Sequence, residues 1–198
     1  MKLWNRSGSI FVGTSALPWR TEISLPQVSK AVAALQEERV LGSRGRAIYL
    51  IDPDRLLDRL ATFWKPEITE RLFIKLPEGL AALPRLGNTR ELQWAVTGSS
   101  SVERYTTFGQ GGPVQVAVTN IRKALDLLGG VEESVPNFAD IQLLASEQLG
   151  YYFENEIDER GIRWAGRLQT WIELCNGDAR QKNAAKEILQ QILPPNES

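Results

Sequence analysis

Apolar positions recur at helical spacing between residues 24 and 39. Val28, Ala31, Val32 and Leu35 fall at i, i+3, i+4 and i+7, one stripe of an α-helix. Ser24 precedes the stripe and Gln27 follows three residues later, the spacing of a capping box. Pro26 stands in the first turn, where its missing N–H costs no hydrogen bond. The other face carries Gln27, Ser29, Lys30, Ala33 and Ala34. A short helix is expected before this one, over about Ser15–Glu22, with Thr14 or Ser15 as its cap. After residue 38 the period changes. Arg39-Val40-Leu41 and Ala47-Ile48-Tyr49-Leu50-Ile51 read as two strands of a hairpin. Gly42-Ser43-Arg44-Gly45-Arg46 is the turn between them. A further helix is predicted over about Pro53–Trp64, with Asp52 as N-cap. Its stripe is Leu56, Leu57, Leu60, Phe63 and Trp64. Pro66 cannot continue that helix without loss, so the chain divides into domains 1–65 and 66–198.

Beyond the boundary, strands are expected at Leu72–Leu76, Leu92–Thr97, Val114–Val118 and Ile141–Leu144. Gly98–Ser101 reads as a turn into a helix that runs through Tyr105, and further helices are expected at Glu78–Leu86, Ile121–Leu128, and at about Arg167–Cys175 and Ala179–Leu193. Thr107–Pro113 reads as a loop and Pro194–Ser198 as a frayed tail. Trp164, Leu168 and Trp171 read as core, and Cys175 as structural. Glu132-Glu133 and the acidic run Glu154–Glu159 read as solvated loops, the alternative being an acidic surface for a partner. The fold class is α+β: an N-terminal winged helix-turn-helix, then a mixed α/β domain with a sheet as its floor.

Composition removes several chemistries. The 198 residues include no histidine, which excludes Ser-His-Asp and Cys-His catalysis and histidine general bases. A single cysteine, Cys175, rules out an internal disulfide and a Cys-rich metal cluster. No cofactor and no metal site are expected. The net charge of −1 hides an asymmetry. Residues 1–65 hold ten Lys/Arg against six Asp/Glu, net +4; residues 66–198 hold 13 against 18, net −5. No apolar run approaches the roughly 18 residues that span a bilayer. The first ten residues lack an apolar signal core of about 7–15 residues. A cytoplasmic protein with no membrane partner is the expectation.

The order helix, helix, basic-tipped hairpin suits duplex DNA. A helix enters a major groove about 12 Å wide, and small outward side chains allow its backbone to approach closely. Gln27, Ser29 and Lys30 are the candidates for reading base edges. Arg44 and Arg46, on the projecting turn, are the candidates for phosphate or minor-groove contact. The competing reading is an amphipathic helix and hairpin that merely build a core, with Gln27 consumed by the cap.

In the second domain, Val96-Thr97-Gly98-Ser99-Ser100 is the stretch most like an active site. A strand running into a Gly-Ser turn and a helix start suits a phosphate, and nucleotidyltransferases use such a turn. They also need two carboxylates, one residue apart, on the next strand to hold magnesium. Here that strand, Val114–Val118, carries neither Asp nor Glu. The expectation is an inactive relative of that fold or a plain strand-to-helix turn. In either case there is no catalytic residue and the chain is not an enzyme.

The run Leu25–Val32, the Arg-Gly-Arg turn at 44–46 and Asp52-Pro53-Asp54-Arg55-Leu56-Leu57 resemble the N-terminal module of AbiEi-like antitoxins of type IV toxin–antitoxin systems. Trp94-Ala95-Val96-Thr97-Gly98 and Gly161–Trp171 resemble their second domain. The resemblance covers roughly residues 15–193. Arg167-Leu168-Gln169 departs from the family's Pro-x-Gln segment. So does Ile10-Phe11-Val12, which reads as a strand where a winged helix has its first helix. The resemblance implies a repressor that binds inverted repeats in its own promoter. Its second domain would oppose a cognate nucleotidyltransferase toxin functionally rather than through a stable complex. The alternative is a winged-helix regulator whose α/β domain senses a ligand and has no toxin partner.

Overall fold

A computed structural model of the chain describes residues 24–45, 47–87, 91–107 and 111–193. The expected strand Ile10–Val12, the expected helix Ser15–Glu22, Arg46, residues 108–110 of the glycine-containing loop and the tail Pro194–Ser198 lie outside the described residues. The class is α+β. Two compact units divide between Phe63 and Trp64.

In the first unit, α1 (Leu25–Glu37) is followed by β1 (Leu41–Arg44), β2 (Ala47–Leu50) and α2 (Pro53–Phe63). The start of α1 follows from the cap: Ser24 N–H and Oγ–H donate to Gln27 Oε1 at 2.9 and 2.8 Å. Its end is a Schellman closure rather than the strand expected at residue 39. Arg39 N–H donates to Gln36 O at 2.9 Å, and Val40 N–H to Leu35 O at 2.8 Å. Arg39 turns into the left-handed region, φ 59°, which reverses the chain toward β1. Val40 is fully buried and is the hub of the unit, because its carbonyl also accepts from Ile51 N–H and Asp52 N–H. The apolar stripe of α1 is only half-buried at Val28, Val32 and Leu35, and Ala31 is exposed. β1 and β2 pair antiparallel, Leu41 opposite Leu50 and Arg44 opposite Ala47. Asp52 Oδ1 caps α2 by accepting from Arg55 N–H at 2.9 Å. Of the expected α2 stripe, Leu57 is buried, whereas Leu60 and Phe63 are exposed.

The second unit is a seven-stranded sheet with helices. Its strands are β3 (Glu70–Lys75), β4 (Trp94–Val96), β5 (Val114–Val118), β6 (Glu132–Glu133), β7 (Ile141–Ala145), β8 (Glu156–Ile157) and β9 (Arg163–Trp164). Their order is β6-β3-β7-β5-β4-β9-β8. β5 runs parallel to β7 and β4 parallel to β9; the other pairs are antiparallel. The two acidic stretches expected as loops thus supply the edge strands. They are short and charged, which discourages further pairing.

Alternation sorts the central strands into two faces. Val114, Val116 and Val118 of β5, Ile141, Leu143 and Ala145 of β7, and Trp94 and Val96 of β4 share one face and enter the main core. Covering that core are a 3-10 segment, Gly79–Leu86, which replaces the expected α-helix and contains Pro84, and α4 (Ile121–Leu128), capped by Asn120. Each fully buried Leu or Ile there contributes about 1.5–3 kcal/mol relative to exposure. The opposite face presents Ala95, Ala117 and Leu144 together with the polar residues Thr97, Gln115 and Gln142. Against it packs α3 (Gly98–Ser101), and α5 (Arg167–Cys175) packs on α3. α6 (Ala179–Ile192), capped by Asp178, packs on α5 and buries Ala184, Ala185 and Ile188. Trp164 and Trp171 are buried as expected; Leu168 is exposed, because α5 turns the face of Gln169, Thr170 and Trp171 inward.

Candidate functional site

Two arrangements stand out, one in each unit. In the first, the cations of the helix–hairpin–helix segment fall into two groups. Arg55 and Arg59 are spent internally. Arg55 Nη1 donates to Glu38 O at 2.9 Å, and Glu38 also pairs with the Arg59 guanidinium. Arg59 lies over the Phe63 ring, 5.4 Å from its centroid. Lys30, Arg39 and Arg44 are exposed and have no ion pair among the described residues. Lys30 and Ser29 stand on the exposed side of α1. Gln27 is exposed too, but its carbonyl oxygen is engaged in the cap, which leaves only its amide NH2 for a partner. Arg44 closes β1 just before Gly45, whose φ of 64° forms the tip. Arg46 lies outside the described residues.

The hairpin register places Gly42, Arg44, Ala47 and Tyr49 on one face. The ring of Tyr49 lies across Gly42: a Cβ at that glycine would come within 2.3 Å of Cζ. Arg44 is the diagonal neighbour of Tyr49 on this face. A guanidinium beside an exposed phenol is a surface suited to phosphate and sugar contact.

In the second unit, the Gly-Ser turn is built around a carboxyl that sequence reasoning missed. Thr97 Oγ1 and Gly98 N–H donate to Glu173 Oε2 at 2.7 and 2.8 Å. The Tyr151 hydroxyl and the Gln169 amide also lie beside this carboxyl, and Gln169 Nε2 is buried without a hydrogen-bond partner. The carboxyl itself is enclosed, although Glu173 as a residue keeps some exposure. Burial pushes its pKa up to about 7, against the pull of the Thr97 hydroxyl and the Gly98 N–H. Burial likewise raises the Tyr151 hydroxyl well above its ordinary value.

Above this carboxyl the cluster is neutral. Gln115 Oε1 accepts from Ser99 N–H and Ser99 Oγ, both at 3.3 Å. Gln115 Nε2 donates to Gln142 Oε1 at 3.2 Å, from the directly paired position on β7. Gln115 N–H donates to Ser100 Oγ at 2.9 Å. The hydroxyls of Ser101 and Thr170 meet at 2.9 Å. Thus the amides of Gln115 and Gln142 occupy the strand positions beside the turn. Among the described residues no group of three or more His, Cys, Asp or Glu side chains is placed to hold a metal. No helix among them is long and apolar enough to cross a membrane.

The signal that would have pointed to Glu173 was weak. It lies 76 residues from Thr97, on a helix whose other positions read as ordinary core. No family model, no curated protein and no solved structure matches this chain.

Proposed function

We propose that the chain is a DNA-binding transcriptional repressor whose first unit works as a winged helix-turn-helix. In this reading α1 enters the major groove, with Lys30 and Ser29 toward base edges and the free NH2 of Gln27 beside them. The β1–β2 hairpin is the wing, with Arg44 and Arg46 on phosphates or in the minor groove. One observation carries the reading: Lys30 and Arg44 are exposed and unpaired among the described residues, while Arg55 and Arg59 are held by Glu38. Charge left without an internal partner on a slim helix and an adjoining hairpin is available to the duplex backbone.

The second unit is, on this proposal, the non-catalytic half of a type IV antitoxin that opposes a nucleotidyltransferase toxin. Support comes from the resemblance of the sequence to AbiEi-like antitoxins and from the amides Gln115 and Gln142 facing the Gly-Ser turn. The test is binding of the full chain to the DNA upstream of its own gene. Affinity about a thousandfold or more above that for an unrelated duplex, at physiological salt, is expected for an autoregulator. Equal affinity for the two would remove the repressor reading.

A further inference from the structure

Arg39 occupies a position that favours glycine. It is the first residue past the C-cap of α1, its φ is 59°, and the hydrogen bonds from its own N–H and from Val40 N–H complete the Schellman closure. A β-carbon in the left-handed region crowds the following carbonyl, and glycine avoids that cost. Yet the side chain gives nothing back to the fold that the structure records. Arg39 is exposed and has no ion pair or hydrogen bond from its guanidinium among the described residues. The two other arginines near this junction, Arg55 and Arg59, are both engaged by Glu38. A cation at a helix C-terminus gains something from the helix dipole, but at an exposed site that gain is small and screened by salt. Strain kept at an exposed residue with no internal partner points to a role outside the fold.

We propose that Arg39 is a phosphate contact, its guanidinium kept at the end of α1 to bind the sugar-phosphate backbone of duplex DNA. The proposal rests on the DNA-binding reading of the first unit and adds a residue at the junction of helix and hairpin. Arginine fits the task because its fork of donors bonds two phosphate oxygens at once. Such a contact is blind to sequence, so it acts on every duplex alike.

The test compares the full chain with Arg39→Gly and Arg39→Lys, using a labelled mixed-sequence duplex three helical turns long across a series of salt concentrations. Arg39→Gly is expected to move two readouts in opposite directions. Hydrogen-exchange protection of the Val40 amide rises about two- to fivefold, because the strain is relieved. Duplex affinity falls, and the slope of log affinity against log salt becomes shallower by about one. Arg39→Lys keeps most of the slope. An unchanged slope in Arg39→Gly, or reduced Val40 protection, would overturn the proposal, the latter by showing that the arginine serves the helix end. Arg44→Ala separates the two levels. If it weakens binding while Arg39→Gly does not, only the Arg39 assignment fails. If the unmodified chain shows no salt-dependent duplex binding, that assignment and the DNA-binding reading fall together.

Discussion

Thr97 Oγ1 donates to Glu173 Oε2 across 2.7 Å, tying the end of β4 to α5 through a carboxyl that titrates near neutrality. The bond sits on the polar face of an otherwise apolar sheet. The backbone N–H of Gly98 shares the same oxygen at 2.8 Å.

The first prediction is a pH dependence of stability. The folded pKa of Glu173, about 7, lies above its ordinary value of 4.5, so the folded state holds the proton more tightly than the unfolded chain. Stability from this group is complete below about pH 4.5 and is lost as pH rises through 7. A shift of that size corresponds to about 3 kcal/mol. The chain contains no histidine, so few other groups change charge between pH 5 and 8. Urea unfolding of the second unit is expected to weaken across that range in the natural chain and to stay flat in Glu173→Gln.

Thr97→Val keeps the shape and removes the hydroxyl. Because that hydrogen bond favours the charged carboxylate, its loss is expected to raise the Glu173 pKa further. It should also destabilise the unit by about 1–3 kcal/mol at alkaline pH, where the carboxylate is left short of a donor. NMR titration of the Glu173 side chain reads the first effect, and denaturant unfolding the second.

Gly98 is the position of the turn that tolerates no side chain. Its φ is 58°, and an added Cβ would stand 2.1 Å from Gln115 Oε1, the acceptor for Ser99. Gly98→Ala is expected to cost about 1–3 kcal/mol through left-handed strain and displacement of Gln115. Gly111→Ala, where a Cβ meets nothing, is the control and should be near neutral.

The helices and central strands of this fold are legible in the sequence where local chemistry decides them. The Ser24–Gln27 cap and Pro26 place the start of α1, and Asp52 places the start of α2. Valine-rich β5 and the Asn120-capped α4 follow their periodicity. What escapes is set by tertiary partners. Arg39 reads as strand because apolar Val40 and Leu41 follow it, yet the Schellman closure fixes it in a turn. Glu132-Glu133 and Glu156-Ile157 become strands only because β3 and β9 offer them edges. Leu168 reads as core by its spacing from Trp164 and Trp171. The inward face of α5 instead goes to polar Gln169 and Thr170, which serve the cluster around the turn. Of the candidate site, the basic residues and the Gly-Ser turn are visible in the sequence. Glu173 is not, since nothing local marks one glutamate on a helix as the partner of a distant threonine.

Lys30→Ala tests whether α1 reads sequence. Lys30 is exposed on the helix, on the side away from the half-buried Val28, Val32 and Leu35. Loss of a base contact is expected to cost about 1–3 kcal/mol on the operator and little on unrelated duplexes. Competition binding with both duplexes distinguishes this from a purely electrostatic contribution, which would weaken the two equally.

The DNA-binding proposal puts Arg44 and Arg46 of the β1–β2 hairpin on the DNA backbone, while Lys30 of α1 faces base edges. Its most direct test is the salt dependence of duplex binding by the natural chain and by Arg44→Ala plus Arg46→Ala. Loss of two phosphate contacts should make the slope of log affinity against log salt shallower by about two, on operator and unrelated DNA alike. An unaltered slope in the double variant would contradict it.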